Sequence, residues 1–155
     1  MKKLFVGAFI LGAALLGSHQ ASAQSYKTAG GLFVDFGDGS TAVGPALKQS
    51  IGGPNALQGM VLFADNTVVL GGEYSYNKSI PGANGLDWNI GFGPQVWIGK
   101  DNSAFAIRPT LGLEYTIPSA PINIGLDWRP LWALSDGSNF AAGRFGLGLR
   151  YIFKR

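Results

Sequence analysis

The sequence predicts an all-β protein, a closed antiparallel up-and-down β-barrel of about eight strands that crosses a membrane after an export signal is cleaved. Three observations predict this fold. Turn-forming residues recur at regular intervals. The segments between them alternate large apolar side chains with small or polar ones, as strands with one apolar face do. The charged residues of those segments fall at the polar positions of this alternation. The chain therefore divides into a signal peptide at residues 1–23 and one barrel domain at residues 24–155.

The composition also favours strands over helices. Of the 155 residues, 24 are glycine, 12% are aromatic and only 14% are charged. Glycine and aromatic residues are weak helix formers, and a disordered chain would carry more charge and fewer aromatics. The chain has no cysteine, which excludes disulfides, thiolate metal sites and a cysteine nucleophile.

Residues 1–23 have the three parts of a secretory signal. Lys2 and Lys3 form a basic start, residues 4–16 form an apolar run, and Ala-Ser-Ala at residues 21–23 matches a cleavage site. The apolar run is shorter than the roughly 20 residues that a spanning helix needs. We therefore expect cleavage after Ala23, which removes two lysines and lowers the formal charge from +3 to +1.

Seven clusters rich in Gly, Pro, Asn and Asp predict the turns, because these residues adopt hairpin geometry readily. The predicted turns are residues 37–40, 52–55, 65–66, 78–85, 100–103, 118–121 and 135–139. They separate eight predicted strands at residues 27–36, 41–51, 56–64, 67–77, 86–99, 104–117, 122–134 and 140–153. These lengths bracket the 9–11 residues that a tilted strand needs to cross a bilayer.

Alternation gives each predicted strand an apolar face and a polar face, since successive side chains of a strand point to opposite sides. Segment 122–129, for example, alternates Leu126 and Trp128 with Asp127 and Arg129. Segments 41–51 and 56–64 alternate badly, so their register is the least determined.

Prolines are expected to interrupt some strands, because proline removes a hydrogen bond from the ladder. The residues concerned are Pro45, Pro94, Pro109 and Pro130. A bulge near Pro94 would let Trp97 face outward, which its position in the alternation otherwise forbids.

The polar faces carry five acids and five bases, which form a predicted interior charge network. Its members are Asp35, Lys48, Glu73, Asp87, Arg108, Glu114, Asp127, Arg129, Arg144 and Arg150. A balanced set interleaved with glycine fits the inside of a narrow barrel, where opposite charges pair and glycine leaves room for arginine. Eight strands enclose only enough space for side chains, so we expect a charge-plugged interior without a large channel.

Aromatic residues fall towards the strand ends, which predicts two girdles at the membrane surfaces. With both termini on the periplasmic side, the periplasmic girdle would comprise Tyr26, Tyr74, Tyr76, Trp88, Tyr115, Tyr151 and Phe153. The outer girdle would comprise Phe36, Phe63, Trp97, Phe105, Trp132 and Phe140.

The last predicted strand carries a family resemblance. Gly148, Tyr151 and Phe153 lie in a run, residues 148–153, that resembles the C-terminal insertion signal of outer-membrane barrels. With the export signal and the strand count, the chain is similar to small eight-stranded barrels of the outer-membrane-protein X and A-domain type, especially the short-looped barrels of Bacteroidetes-like bacteria. The resemblance implies a Gram-negative outer membrane, contact with its lipid, and assembly by the barrel assembly machinery.

Catalytic chemistry has few candidates. The sole histidine, His19, lies in the predicted signal, and a serine without a base is a poor nucleophile. Asp87, Glu114 and Asp127 could serve acid/base catalysis, but pairing with interior arginines is favoured. We expect no enzyme activity and no cofactor. No basic cluster beyond Lys154 and Arg155 suggests nucleic-acid binding.

Three functions remain open at the level of sequence. The first is a structural or interaction barrel. The second is a narrow channel or small-solute transporter. The third is a soluble, lipocalin-like periplasmic binder, which would turn its apolar faces inward around a ligand cavity.

Overall fold

A computed structural model of the chain describes residues 25–135, 137 and 139–155. The predicted signal peptide lies outside these residues. The described part contains ten strands and no helix: β1 (Thr28–Gly37), β2 (Ser40–Gly52), β3 (Asn55–Ala64), β4 (Thr67–Ser79), β5 (Leu86–Ile98), β6 (Ser103–Thr116), β7 (Ile122–Trp128), β8 (Leu131–Ala133), β9 (Asn139–Ala141) and β10 (Arg144–Lys154).

The ten strands form one closed antiparallel barrel with eight strand positions, because β7 with β8 and β9 with β10 each share one position. We call each of these eight positions a stave. Each strand from β1 to β6 pairs with the next in the chain, and β10 pairs with both β7 and β1, which closes the ring. The predicted closed antiparallel up-and-down barrel of about eight strands is therefore confirmed. We call the end that holds Ser25 and Arg155 the proximal end, and the opposite end, with the β1–β2 turn, the distal end.

The seventh and eighth staves are each interrupted once. Strands β7 and β8 keep a single register against β6, with Leu111 opposite Trp128 and Ile107 opposite Trp132. The break falls at residues 129–130, where proline supplies no N–H to the ladder. β9 and β10 make the last stave, interrupted at residues 142–143. Each pair of short strands matches one predicted strand.

Three of the four prolines do not interrupt their strands, contrary to expectation. Pro45, Pro94 and Pro109 lie within β2, β5 and β6 with exposed rings. The β2–β3 register is the same on both sides of Pro45, and the β5–β6 register is unbroken through Pro94. Local ladder bonds are thus missing around Pro45 without a bulge, because proline lacks a donor.

Because no bulge forms near Pro94, Trp97 faces the barrel interior and does not join the outer girdle. Its indole N–H donates to Gln95 Oε1 at 3.2 Å. Tyr26 is also misassigned by the girdle prediction: its side chain is 1% exposed and packs inside the proximal end with Ala29 and Ile152.

The poor alternation of residues 56–64 has a structural cause. Near the distal end, β3 carries apolar residues on both faces, with Met60 and Leu62 inside and Phe63 outside. The distal interior beside β1–β4 contains an apolar cluster. It comprises Phe33, Ala42, Ala46, Met60, Leu62 and Val69, with Ala64 and Trp97 packed against it.

The two faces of the barrel wall differ sharply. Among the described residues, 24 large hydrophobic side chains are exposed on the outside, including Phe92 at 60%, Leu126 at 55% and Leu149 at 54%. The buried set holds 18 polar or charged residues against 11 hydrophobic ones. This is the reverse of a water-soluble fold, in which buried positions are mainly apolar. No helix in the described part of the chain is long and apolar enough to cross a membrane.

Candidate functional site: the interior charge network

The structure places all ten predicted network residues on the inward face of the wall. Nine are buried, and Asp127 is partly buried. Their side chains point inward because of the alternation along each strand. Neighbouring glycines leave space in the lumen for these long side chains. A Cβ on Gly146, for example, would overlap Phe33 and lie 2.8 Å from Arg129 Cδ.

The distal half of the network is built on Asp35. Its Oδ2 accepts a hydrogen bond from Arg108 Nη1 at 2.9 Å, and its Oδ1 accepts from Arg144 Nη2 at 2.8 Å. The Nε of Arg129 lies 3.9 Å from Oδ2. One carboxylate from β1 therefore faces three guanidinium groups: Arg144 from the neighbouring strand β10, Arg108 from β6 and Arg129 from the β7–β8 break.

Arg129 balances that excess of positive charge, because it contacts further acids. Its Nη2 pairs with Glu73 on β4, and its Nη1 lies 3.5 Å from Asp127 Oδ1. The guanidinium also lies over the ring of Phe33, 4.6 Å from the centroid. A side chain that leaves the wall at the β7–β8 break thus crosses the lumen to β4.

Arg108 and Arg144 make further contacts that complete the distal half of the network. Arg108 donates to the carbonyl oxygen of Arg129 from both Nε and Nη2, at 3.1 and 2.6 Å. It also donates from Nη1 to Gln95 Oε1 at 2.6 Å. Arg144 lies over Trp97, 5.4 Å from the ring centroid, at the boundary with the apolar cluster.

The proximal half of the network is built on Glu114. Its carboxylate pairs with Lys48 from β2, and Arg150 Nη1 lies 3.6 Å away. Tyr26 donates its hydroxyl hydrogen bond to Glu114 Oε2 at 2.8 Å. The segment before β1 therefore enters the lumen and covers this ion pair from the proximal side.

Neutral amides accept hydrogen bonds from both proximal bases. Lys48 donates to Asn77 at 2.8 Å, while Arg150 donates to Asn123 at 2.9 Å and to Gln58 at 2.7 Å. The positive charges of Lys48 and Arg150 are therefore stabilised by neutral amide oxygens as well as by Glu114.

Asp87 stands apart from the arginines. Its carboxylate accepts hydrogen bonds from the hydroxyls of Ser25 at 3.0 Å and Ser79 at 2.7 Å, at the proximal rim. The sequence-based expectation of an interior arginine as its partner is therefore wrong. The other two candidates for acid/base chemistry, Glu114 and Asp127, do contact interior bases.

Between the two halves lies a polar cavity of about 10 Å³, lined by Lys48, Gln58, Glu73, Ser75, Asn89, Thr110, Glu114, Asp127 and Arg150. This volume suits roughly one water molecule. Apolar side chains limit the lumen distally and the Tyr26 segment limits it proximally. The interior is a packed ionic core rather than a passage.

Sequence reasoning missed the neutral partners of the network. Gln58, Asn77, Gln95 and Asn123 are all buried. The last three share the inward parity of the charged residues on their strands, and Gln58 lies opposite Lys48 in the β2–β3 register. That parity was the available signal. Nothing in the sequence signalled that Tyr26, outside the alternating segments, would turn inward.

The predicted insertion-signal residues lie on both faces of β10. Gly148 is buried, whereas Tyr151 and Phe153 are 55% and 64% exposed at the proximal end, with ring centroids 5.5 Å apart. The described residues contain no group of three or more acids or histidines arranged to hold a metal ion.

Fold and interior together define a closed eight-stranded antiparallel β-barrel whose lumen is filled by paired charges. No protein-family model matches the chain, and no curated protein matches it.

Proposed function

We propose that the protein is a non-enzymatic integral barrel of a bacterial outer membrane, with a structural or interaction role. The observation that carries this proposal is the inversion of the two faces: hydrophobic side chains outside, ion pairs inside. In lipid, the outer hydrophobic side chains contact acyl chains while the polar groups pair with one another inside the barrel.

The size of the hydrophobic effect favours lipid rather than water around the barrel. A large hydrophobic side chain left in water forgoes about 1.5–3 kcal/mol compared with burial. The 24 side chains are 36–64% exposed, so roughly half of that loss applies to each. Their combined loss still exceeds the roughly 5–15 kcal/mol by which native proteins are typically stable. In a bilayer the same side chains replace water with acyl chains and the loss disappears.

The interior supports a closed, structural barrel over the two alternatives. A narrow channel or small-solute transporter needs a continuous polar path, whereas the lumen described above is occupied by ion pairs and by an apolar distal cluster. A soluble lipocalin-like binder needs an apolar cavity, whereas the cavity lining is mostly polar.

Two features of the sequence support the remaining parts of the proposal. Residues 148–153 would present the insertion signal to the barrel assembly machinery, with Tyr151 and Phe153 on the outer face. The non-enzymatic role rests on the absence of histidine from residues 24–155.

Fractionation of a Gram-negative host expressing the full chain tests the location. We expect a cleaved product in the outer-membrane fraction that migrates as a heat-modifiable folded band. A soluble periplasmic product would overturn the membrane proposal. Planar-bilayer recording tests the closed lumen: we expect no stepwise conductance, and steady ion-selective steps would favour the channel instead.

A further inference from the structure

We propose that the proximal rim carries a phospholipid-binding collar, formed by Lys27, Lys78, Lys154 and Arg155, that binds the phosphate groups of acidic phospholipids. The inference rests on the proposed membrane location and adds a lipid class and a leaflet to it: the leaflet at the end of the barrel where Ser25 lies.

The charges outside the lumen are segregated between the two ends. Five of the nine acids lie in the interior network, Asp38, Asp65 and Asp101 lie in distal turns, and Asp136 lies outside the described residues. Lys100 is the only base among these turns. The collar supplies four bases at the proximal end.

No exposed acidic side chain offsets the collar among the described residues. Asp87 is the acid nearest this rim, and it is 1% exposed and held by two serine hydroxyls. Since the interior network is balanced, the collar's positive charge is left for an external anion. The attraction of a basic cluster to an acidic lipid surface is worth about fivefold in binding per base.

Aromatic pairs sit directly below the bases, at the depth where lipid headgroups meet acyl chains. Lys78 is opposite Trp88 in the β4–β5 register, and the Trp88 ring lies 5.9 Å from that of Tyr76. Lys154 follows the exposed Tyr151 and Phe153 pair on β10. Each side of the rim thus combines a cation with a surface for the glycerol and upper acyl region.

Backbone contacts fix part of the collar in place. The Lys27 N–H donates to the Lys154 carbonyl oxygen at 2.8 Å, which brings these two bases together. Arg155 Nη2 donates to the Ala120 carbonyl oxygen at 2.9 Å, across the β6–β7 turn. Bases held on the rim would bind a phosphate with less loss of side-chain freedom than bases on a mobile tail.

The test uses the folded, signal-cleaved barrel in phosphatidylcholine vesicles, with spin-labelled phosphatidylglycerol or spin-labelled phosphatidylcholine as the probe. We expect the wild type to retain phosphatidylglycerol at least fivefold better than phosphatidylcholine. The variant K27Q/K78Q/K154Q/R155Q should lower that ratio to near one. The distal control K100Q should leave it unchanged.

Two further arms identify the source of binding and guard against misfolding. Charge-retaining K78R/K154R should keep the preference, and inorganic phosphate should compete no better than chloride at equal ionic strength. An unchanged ratio in the quadruple variant, or an equal loss in K100Q, overturns the collar while leaving the membrane location standing. Failure of the wild type to enter neutral vesicles as a heat-modifiable barrel contradicts both proposals.

Discussion

Asp35 on β1 accepts two hydrogen bonds from Arg144 on β10, from Nε at 3.1 Å and from Nη2 at 2.8 Å. The first and last staves of the barrel are joined by this ion pair as well as by the backbone ladder that ends at Gly37 and Arg144. The same carboxylate also accepts a hydrogen bond from Arg108 on β6. The contact between the first and last staves is therefore linked to a strand across the lumen.

Asp35→Asn should therefore destabilise the barrel by about 3–5 kcal/mol, because it leaves buried guanidinium groups without their shared anion. Equilibrium unfolding in urea from lipid vesicles measures the change. Asp38→Asn is the matched control: Asp38 is exposed in the β1–β2 turn at a φ of 45°, a conformation that asparagine tolerates. Equal midpoints for the two variants would contradict the role of Asp35.

A base on the outer face near mid-barrel should impair membrane insertion. Leu126 and Leu147 are neighbours in the β7–β10 register and are 55% and 44% exposed. Replacing either by arginine should cost about 2–4 kcal/mol, whereas Leu134→Arg near the distal rim should cost at most about 1 kcal/mol. The yield of heat-modifiable folded protein reports the effect. Full yield from all three variants would show that this face does not contact lipid.

Arg129→Ala should lower stability far more than Lys100→Ala. The first change removes the partner of Glu73 and a cation over Phe33, and leaves buried acids unpaired at about 3–5 kcal/mol. The second removes an exposed turn charge, for which an effect under about 0.5 kcal/mol is expected. Thermal melting of the two variants in the same vesicles decides the matter, and coincident curves would refute the buried role.

The glycines beside interior arginines should not tolerate a methyl group. In Gly146→Ala the new carbon would overlap Asp127 and Phe33, so unfolding should need at least about 1 kcal/mol less free energy. Gly59→Ala places its methyl group in open space and should be neutral or stabilising by up to about 1 kcal/mol. Unfolding in urea compares them, and equal stability would mean that the interior is loosely packed.

Turn chemistry and alternation predicted the barrel well, because hairpin turns are local and side-chain period is a property of each strand. The strand predicted at 67–77 is observed as Thr67–Ser79, and that predicted at 104–117 as Ser103–Thr116. The interruption at residues 129–130 was predicted from Pro130. The interruption at residues 142–143 was not predicted, since it depends on how neighbouring strands meet.

Pairing inside the lumen could not be predicted in the same way. Alternation selects the inward face of a strand, but the barrel's stagger decides which inward residues meet across the lumen. Asp35 meets Arg108 over 73 residues of sequence, and Asp87 meets serines instead of arginine. Trp97 faces inward as its position in the alternation requires, because no bulge forms near Pro94. Tyr26 precedes the alternating segments, so no local pattern reveals that it turns inward.

The most direct measurement of the central claim is quenching of tryptophan fluorescence by lipids with brominated acyl chains. Two variants each keep one of the four tryptophans, Trp128 on the outer face or Trp97 in the lumen, with the others replaced by phenylalanine. Brominated lipid should quench Trp128 strongly and leave Trp97 nearly unchanged. Equal quenching of both, or bright Trp128 fluorescence in brominated vesicles, would contradict a barrel with a lipid-facing apolar wall and a sealed ionic core.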